Sequence, residues 1–111
     1  MVIRLTSDIF VHALIRRAEL NGAAAMVVCR GDATGGGIFV KLNTLDGMAI
    51  VFSQSRTLDG EPMWVRGTGP EPVSDEKAEA YLTRQRGFDP DIWIVEIEDR
   101  QGRHFLLEPV A

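Results

Sequence analysis

The sequence is poor in the residues that staple, ligate or attack. Its one cysteine, Cys29, has no internal disulfide partner. It lies in an apolar run, where a thiol is expected to be a buried, inert hydrophobe, and nothing indicates an oxidising compartment. Only two histidines occur, His12 and His104. Neither can be tied to Cys29 or to a serine by spacing, and there is no Gly-x-Ser-x-Gly elbow. No apolar run approaches the ~20 residues that a helical membrane span needs. The opening Met-Val-Ile-Arg-Leu-Thr-Ser-Asp lacks the basic and then apolar pattern of a signal peptide. The expectation is a cytoplasmic protein without membrane contact. Positive charge is also short: 12 Lys and Arg against 16 Asp and Glu leave a net −4. That disfavours nucleic-acid binding, which draws on a surplus of cations.

What remains is the composition of an ordinary folded chain, 45% hydrophobic and 25% charged. One domain over 1–111 is expected, and at this size it buries roughly two-thirds of its unfolded surface. Residues 23–53 organise it. Three β-rich runs are separated by two Gly/Asp-containing breaks, the pattern of a meander. Residues 23–30 are apolar on both sides, which predicts a central strand, or one with a helix on one face and a partner on the other. Residues 37–43 alternate, with Ile38, Val40 and Leu42 set to face the helices and Phe39, Lys41 and Asn43 on the other side. Residues 48–53 alternate likewise after the Leu45-Asp46-Gly47 turn.

Ile3 and Leu5 form a short lead-in. Thr6 or Ser7 then caps a helix over residues 8–20, with Phe10, Leu14 and Ala18 as its apolar stripe, widened by Val11 and Ile15. His12, Arg16 and Glu19 fall on the opposite, solvated face, and Gly22 supplies the stop. After a loop over 54–62, Met63 to Arg66 form a short edge strand. Pro70 and Pro72 make 67–73 a connector. Ser74 caps a second helix, with Asp75 and Glu76 in its first turn, Ala78, Tyr81 and Leu82 apolar, Gly87 as terminator and Phe88 packing back. Ile92 to Glu98 are the last strong strand, Asp99 to Gly102 a hairpin turn, and 103–107 the return strand. The tail 108–111 is expected to be loose. The fold class is α+β, an antiparallel sheet (meander plus C-terminal hairpin) with two helices on one face, in the order α-β-β-β-(β)-α-β-β.

Three places could carry function. In the loop over 30–37, glycines such as Gly35 and Gly36 let backbone amides approach an anion, Arg30 could grip it, and Asp32 could accept or act as base. Walker and dinucleotide motifs are excluded, because a strand follows where they need a helix. The acidic group Asp89, Asp91, Glu96, Glu98, Asp99 with His104 does not converge by itself and reads as solvated ends and turns. The third place is a surface. Phe39, Val51, Trp64 and one side of the late strand would lie on a sheet face without helices, which favours a homodimer or another protein partner through that open face. No catalytic, cofactor-binding or metal-binding residues are assigned, and no cofactor is expected.

Several segments resemble a family of short alphaproteobacterial proteins grouped as a domain of unknown function. They are Leu14-Ile15-Arg16-Arg17, Arg30-Gly31-Asp32-Ala33, residues 41–47, Tyr81-Leu82-Thr83-Arg84-Gln85-Arg86 and, most specific, residues 88–100. The resemblance spans nearly the whole chain. It implies a bacterial cytoplasmic protein and carries over no activity and no catalytic residue. Function is therefore expected to be non-catalytic binding or protein interaction, with small-ligand binding or catalysis at the 30–37 loop as the alternative.

Overall fold

The structure, a computed structural model, describes residues 5–111; of the lead-in, Ile3 lies outside them. Helix α1 spans Ser7–Leu20 and buries Ser7, Val11, Leu14 and Ala18. Thr6 holds the cap position, but its hydroxyl donates to Asp8 Oδ1 at 2.6 Å and accepts nothing from the helix. The first amides of the helix are satisfied from afar: Ser7 N donates to the Thr34 carbonyl (3.2 Å) and Asp8 N to that of Ala33 (3.0 Å). At the other end Gly22 takes φ +87° and its amide reaches Glu19 O.

The strands are β1 Ala24–Cys29, β2 Ile38–Asn43, β3 Met48–Arg56, β4 Pro62–Arg66, β5 Val73–Ser74 and β6 Trp93–Glu98, with helix α2, Asp75–Phe88, before β6. They form one sheet in the order β1-β6-β2-β3-β4, with β5 attached to β3. The fold is α+β and the sheet mostly antiparallel, with a meander over β2-β3-β4; the meander expected over residues 23–53 is broken, because β6 lies between β1 and β2. The β2–β6 pair is parallel, running from Ile38↔Trp93 to Asn43↔Glu98.

Several expectations are corrected. The two helices do not share a face. Val11, Leu14 and Ala18 of α1 pack with Ile38, Val40, Leu42, Phe52, Trp93 and Val95, whereas Ala78 and Leu82 of α2 pack with Ala49, Val51, Ile92 and Ile94. The inner strands are apolar on both sides, so each face needs its own cover. The first strand is not central: β1 is an edge, with Met26, Val27 and Val28 exposed at 40%, 37% and 54%. Helix α1 packs on one face of it, Cys29 reaches the α2 core on the other, and a bulge between Val27 and Cys29 interrupts its ladder with β6.

The C-terminal hairpin does not form. The turn itself is there, with Gly102 N donating to Asp99 O at 3.1 Å, but β6 already has β1 on one side and β2 on the other. A return strand has no edge to join. Residues 103–107 cross the α1 face instead: Leu106 is buried in that core and Phe105 takes φ +60°. The tail is not loose. Trp64 N donates to Pro109 O and Ala111 N to Trp64 O, both at 2.8 Å, so it lies along the outer edge of β4. Helix α2 also runs through Gly87 to Phe88, whose ring is 80% exposed and does not pack back. Its N-terminus is as expected, with Ser74 Oγ accepting from Lys77 N.

Candidate functional site

The glycine-rich loop, residues 30–37, is tied to its surroundings by its own backbone. Asp32 N donates to Asp91 O (2.9 Å), Gly36 N to Asp32 O (3.2 Å) and Gly35 N to Asp32 Oδ2 (2.9 Å). Trp93 Nε1 donates to Asp32 O at 2.8 Å, and Ser7 Oγ to Gly36 O at 2.6 Å. A Cβ at Gly31 or Gly36 would collide with the Asp91 carbonyl, while Gly35 stands in open space. The loop thus works as a clasp between the start of α1 and the approach to β6. Three amides that could have cradled an anion are engaged within the protein. Arg30 is exposed, makes no ion pair among the described residues, and holds its guanidinium 5.3 Å from the centre of the Trp93 ring. Asp32 is exposed too and makes no ion pair among the described residues, its Oδ2 accepting from Gly35 N.

A second cluster went unseen in the sequence. Lys41, one of only two lysines, is 2% exposed on the α2 side of β2. Its ammonium lies 2.6 Å from Asp75 Oδ1, 3.1 Å from Glu79 Oε1 and 3.6 Å from Glu96 Oε1. Asn43 Nδ2 donates to the other oxygen of Glu96 at 3.1 Å. Burial works against the charge, but Asp75 and Glu79, with Glu96 behind them, outweigh it and raise the Lys41 pKa above its usual value. The group is a fixed cation that pins the first turns of α2 to the sheet. The usable signal was a lysine amid the apolar positions of β2, together with acids four apart at Asp75 and Glu79.

The remaining acids separate, as their positions suggested. Asp99 accepts from Arg103 N, Nε and Nη2 at 2.8–3.0 Å, and this pairing lowers its pKa. Asp89 Oδ1 accepts from Asp91 N. No three His, Cys, Asp or Glu gather as a metal site among the described residues. His104 belongs to the C-terminal segment: Leu106 N donates to its Nδ1 at 2.9 Å and its ring meets Phe52 edge-on at 5.1 Å. Burial, then the charge of Arg66, lowers its pKa. Cys29 is half-buried, with Sγ 3.7 Å from Ile92 O. No helix among the described residues is long and apolar enough to cross a membrane.

The sheet's two edges complete the inventory. The outer edge of β4 is hydrogen-bonded to the tail, with Arg66 Nη1 on Ala111 O (2.9 Å) and Trp64 Nε1 on Glu108 (2.9 Å) adding to the two backbone bonds. The outer edge of β1 has no strand beside it among the described residues. Helix α2 packs on β2, β3 and β5, and its core takes in Ile94 of β6 and reaches Cys29 of β1, leaving this face exposed at Ala24 and Met26 of β1. There Met26 lies across from Glu96 and Ala24 from Glu98.

Comparison with known proteins agrees with the resemblance read from the sequence. The profile of a family described as "Protein of unknown function (DUF1491)" matches residues 5–107. A crystal structure of a DUF1491 family protein from Caulobacter crescentus CB15 superposes with a TM-score of 0.89 at 48% identity, covering 97% of this chain and 100% of that one. A solution structure of a protein from A. tumefaciens superposes with a TM-score of 0.77 at 33% identity, covering 98% and 100%. No curated protein matches the chain.

Proposed function

The chain belongs to the DUF1491 family of proteins of unknown function, and from that premise we propose that it is a non-catalytic interaction domain whose working surface is the open edge of β1. One observation carries this reading. The outer edge of β4 is hydrogen-bonded to the tail, while that of β1 has no strand beside it among the described residues and presents Met26, Val27 and Val28. An unpaired edge is a row of amide donors and carbonyl acceptors that templates another strand. Proteins blunt such edges with Lys, Pro or charge. β1 reads Ala-Ala-Met-Val-Val-Cys and has none of these; the one blunting device it carries is the bulge between Val27 and Cys29. The contact expected on a sheet face thus moves to a sheet edge, with exposed Ala24 and Met26 beside it.

The polar groups favour binding over catalysis. Lys41 is held protonated by three carboxylates, the free nitrogen lone pair of His104 is occupied by the Leu106 amide, and the loop amides are engaged. A photo-crosslinking residue at position 28, introduced in the protein's own cells, tests the reading. The expected result is one dominant polypeptide adduct from position 28 and none from position 58, where Leu58 is fully exposed on a turn away from β1. No adduct at 28, or equal adducts at both positions, would overturn it.

A further inference from the structure

We infer that the polypeptide added to β1 is a second copy of this chain, paired antiparallel about a two-fold axis and held by Arg30 of each copy against Glu19 of the other. The inference rests on β1 being the working edge. A two-fold axis normal to the sheet pairs β1 with itself and keeps each face continuous, so the α1 faces of both copies lie side by side. Residues 23–29 carry no charge, so the centre of such a pair meets no like charges and covers Val27 and Val28.

The two ends of β1 differ in charge. Arg30 follows its C-terminal end, on the α1 face, since its guanidinium lies over Trp93, a member of the core beneath α1. At the N-terminal end stands the C-terminus of α1, joined to β1 by three residues, Asn21 to Ala23. Contacts fix the orientation of that helix. Phe10 reaches Trp64 of β4 (5.9 Å) and Arg17 Nε donates to Phe105 O (2.8 Å), so both lie on the flank away from β1. At 100° per residue, the opposite flank carries His12, Ile15 and Glu19. Glu19 is exposed there, at the negative end of the helix dipole. Antiparallel pairing brings each copy's Arg30 to that end of the other copy, twice by symmetry. Parallel self-pairing would set Arg30 beside Arg30, with no closed symmetry.

Sedimentation equilibrium of the full chain, from micromolar to tens of micromolar at low salt, reads the assembly. The wild type is expected to dimerise. Arg30→Glu should weaken the dimer by about tenfold, since two ion pairs become two repulsions, and Glu19→Arg should do the same. Combining both changes in one chain should restore the dimer to within about threefold of wild type. Val28→Lys, at an exposed position outside both cores, should abolish it without unfolding the protein. A monomeric wild type overturns the inference, as does a dimer indifferent to Val28→Lys or a double variant that shows no rescue. The crosslink at position 28 separates the two failures. An adduct with a different polypeptide refutes self-pairing and leaves the interaction reading standing, while no adduct removes both.

Discussion

Both ends of the sheet are short strands, β1 with six residues and β4 with five. They meet water differently. β4 opens on Pro62 and closes on Arg66, so its own composition already discourages pairing. It is then covered as well: residues 109–111 bond it through Trp64, and the indole of Trp64 is pinned to Glu108. β1 lacks charge and proline and has no strand at its outer edge among the described residues. An uncovered edge is a liability that folded proteins manage. Among the described residues the chain closes the edge that was already blunted and leaves open the one that lacks charge and proline, which is the contrast the proposed interaction role draws on.

The largest expected effect comes from opening the closed side. Trp64 is 1% exposed, packs against Phe10 and anchors the tail through Nε1. Trp64→Ala should cost about 3–5 kcal/mol, the usual range for a buried Trp lost from a core. It should also free residues 108–111 for exchange. Urea unfolding with hydrogen exchange on the Ala111 amide would measure both. A loss below about 1 kcal/mol would mean that the tail, and not the indole, holds that edge.

Much of this architecture was legible from period and caps. The apolar stripe of α1, the Ser74 cap and the alternation in β2 and β3 are local properties, and each formed where the pattern placed it. What was not legible is non-local. A run such as residues 23–30 says that its sides are apolar, but not whether a neighbour lies on one side or two. The same limit produced the hairpin expected after Asp99: the turn formed, and only the strand order shows that β6 had no edge left. At the candidate site, Arg30 is read from the sequence as a grip for an anion, and the structure shows it exposed with its guanidinium over Trp93. Lys41 was hidden, because its carboxylates arrive from α2 and β6, far along the chain.

Lys41 sharpens the comparison from the open side, because it holds Glu96, and Glu96 lies across from Met26 on β1. Lys41→Met keeps the volume and removes the ammonium, leaving three carboxylates facing one another. Breaking a buried pair costs roughly 3–5 kcal/mol when the remaining charge stays dry. Asp75 and Glu79 are about half exposed, so a loss on the order of 2 kcal/mol is expected. Exchange should rise in α2 and β1 and stay unchanged in β4. Equal loosening of β4 would show that the two sides are not independent.

The smallest effect is a pH dependence confined to the closed side. His104 sits in the segment that leads to the tail, with its Nδ1 accepting from Leu106 N and with Arg66 of β4 nearby. Its folded pKa is held below the ordinary 6.5, by burial first and by Arg66 second. The unfolded chain therefore takes up the proton first as pH falls. Its contribution is fully present above 6.5 and is lost as pH drops from there toward the lowered folded value. The Asp99 carboxylate, lowered from 3.8 by Arg103, titrates well below this window and does not confuse it. Protonation would also turn Nδ1 from acceptor into donor and break the bond to Leu106. His104→Asn keeps an acceptor and removes the titration. Between about pH 7.5 and 5.5, the urea midpoint of the wild type should fall more than that of the variant, with faster exchange at Trp64 and Ala111 and none added at β1. Parallel curves for the two proteins would show that the closed edge is held by the backbone bonds of the tail alone, independently of the turn at His104.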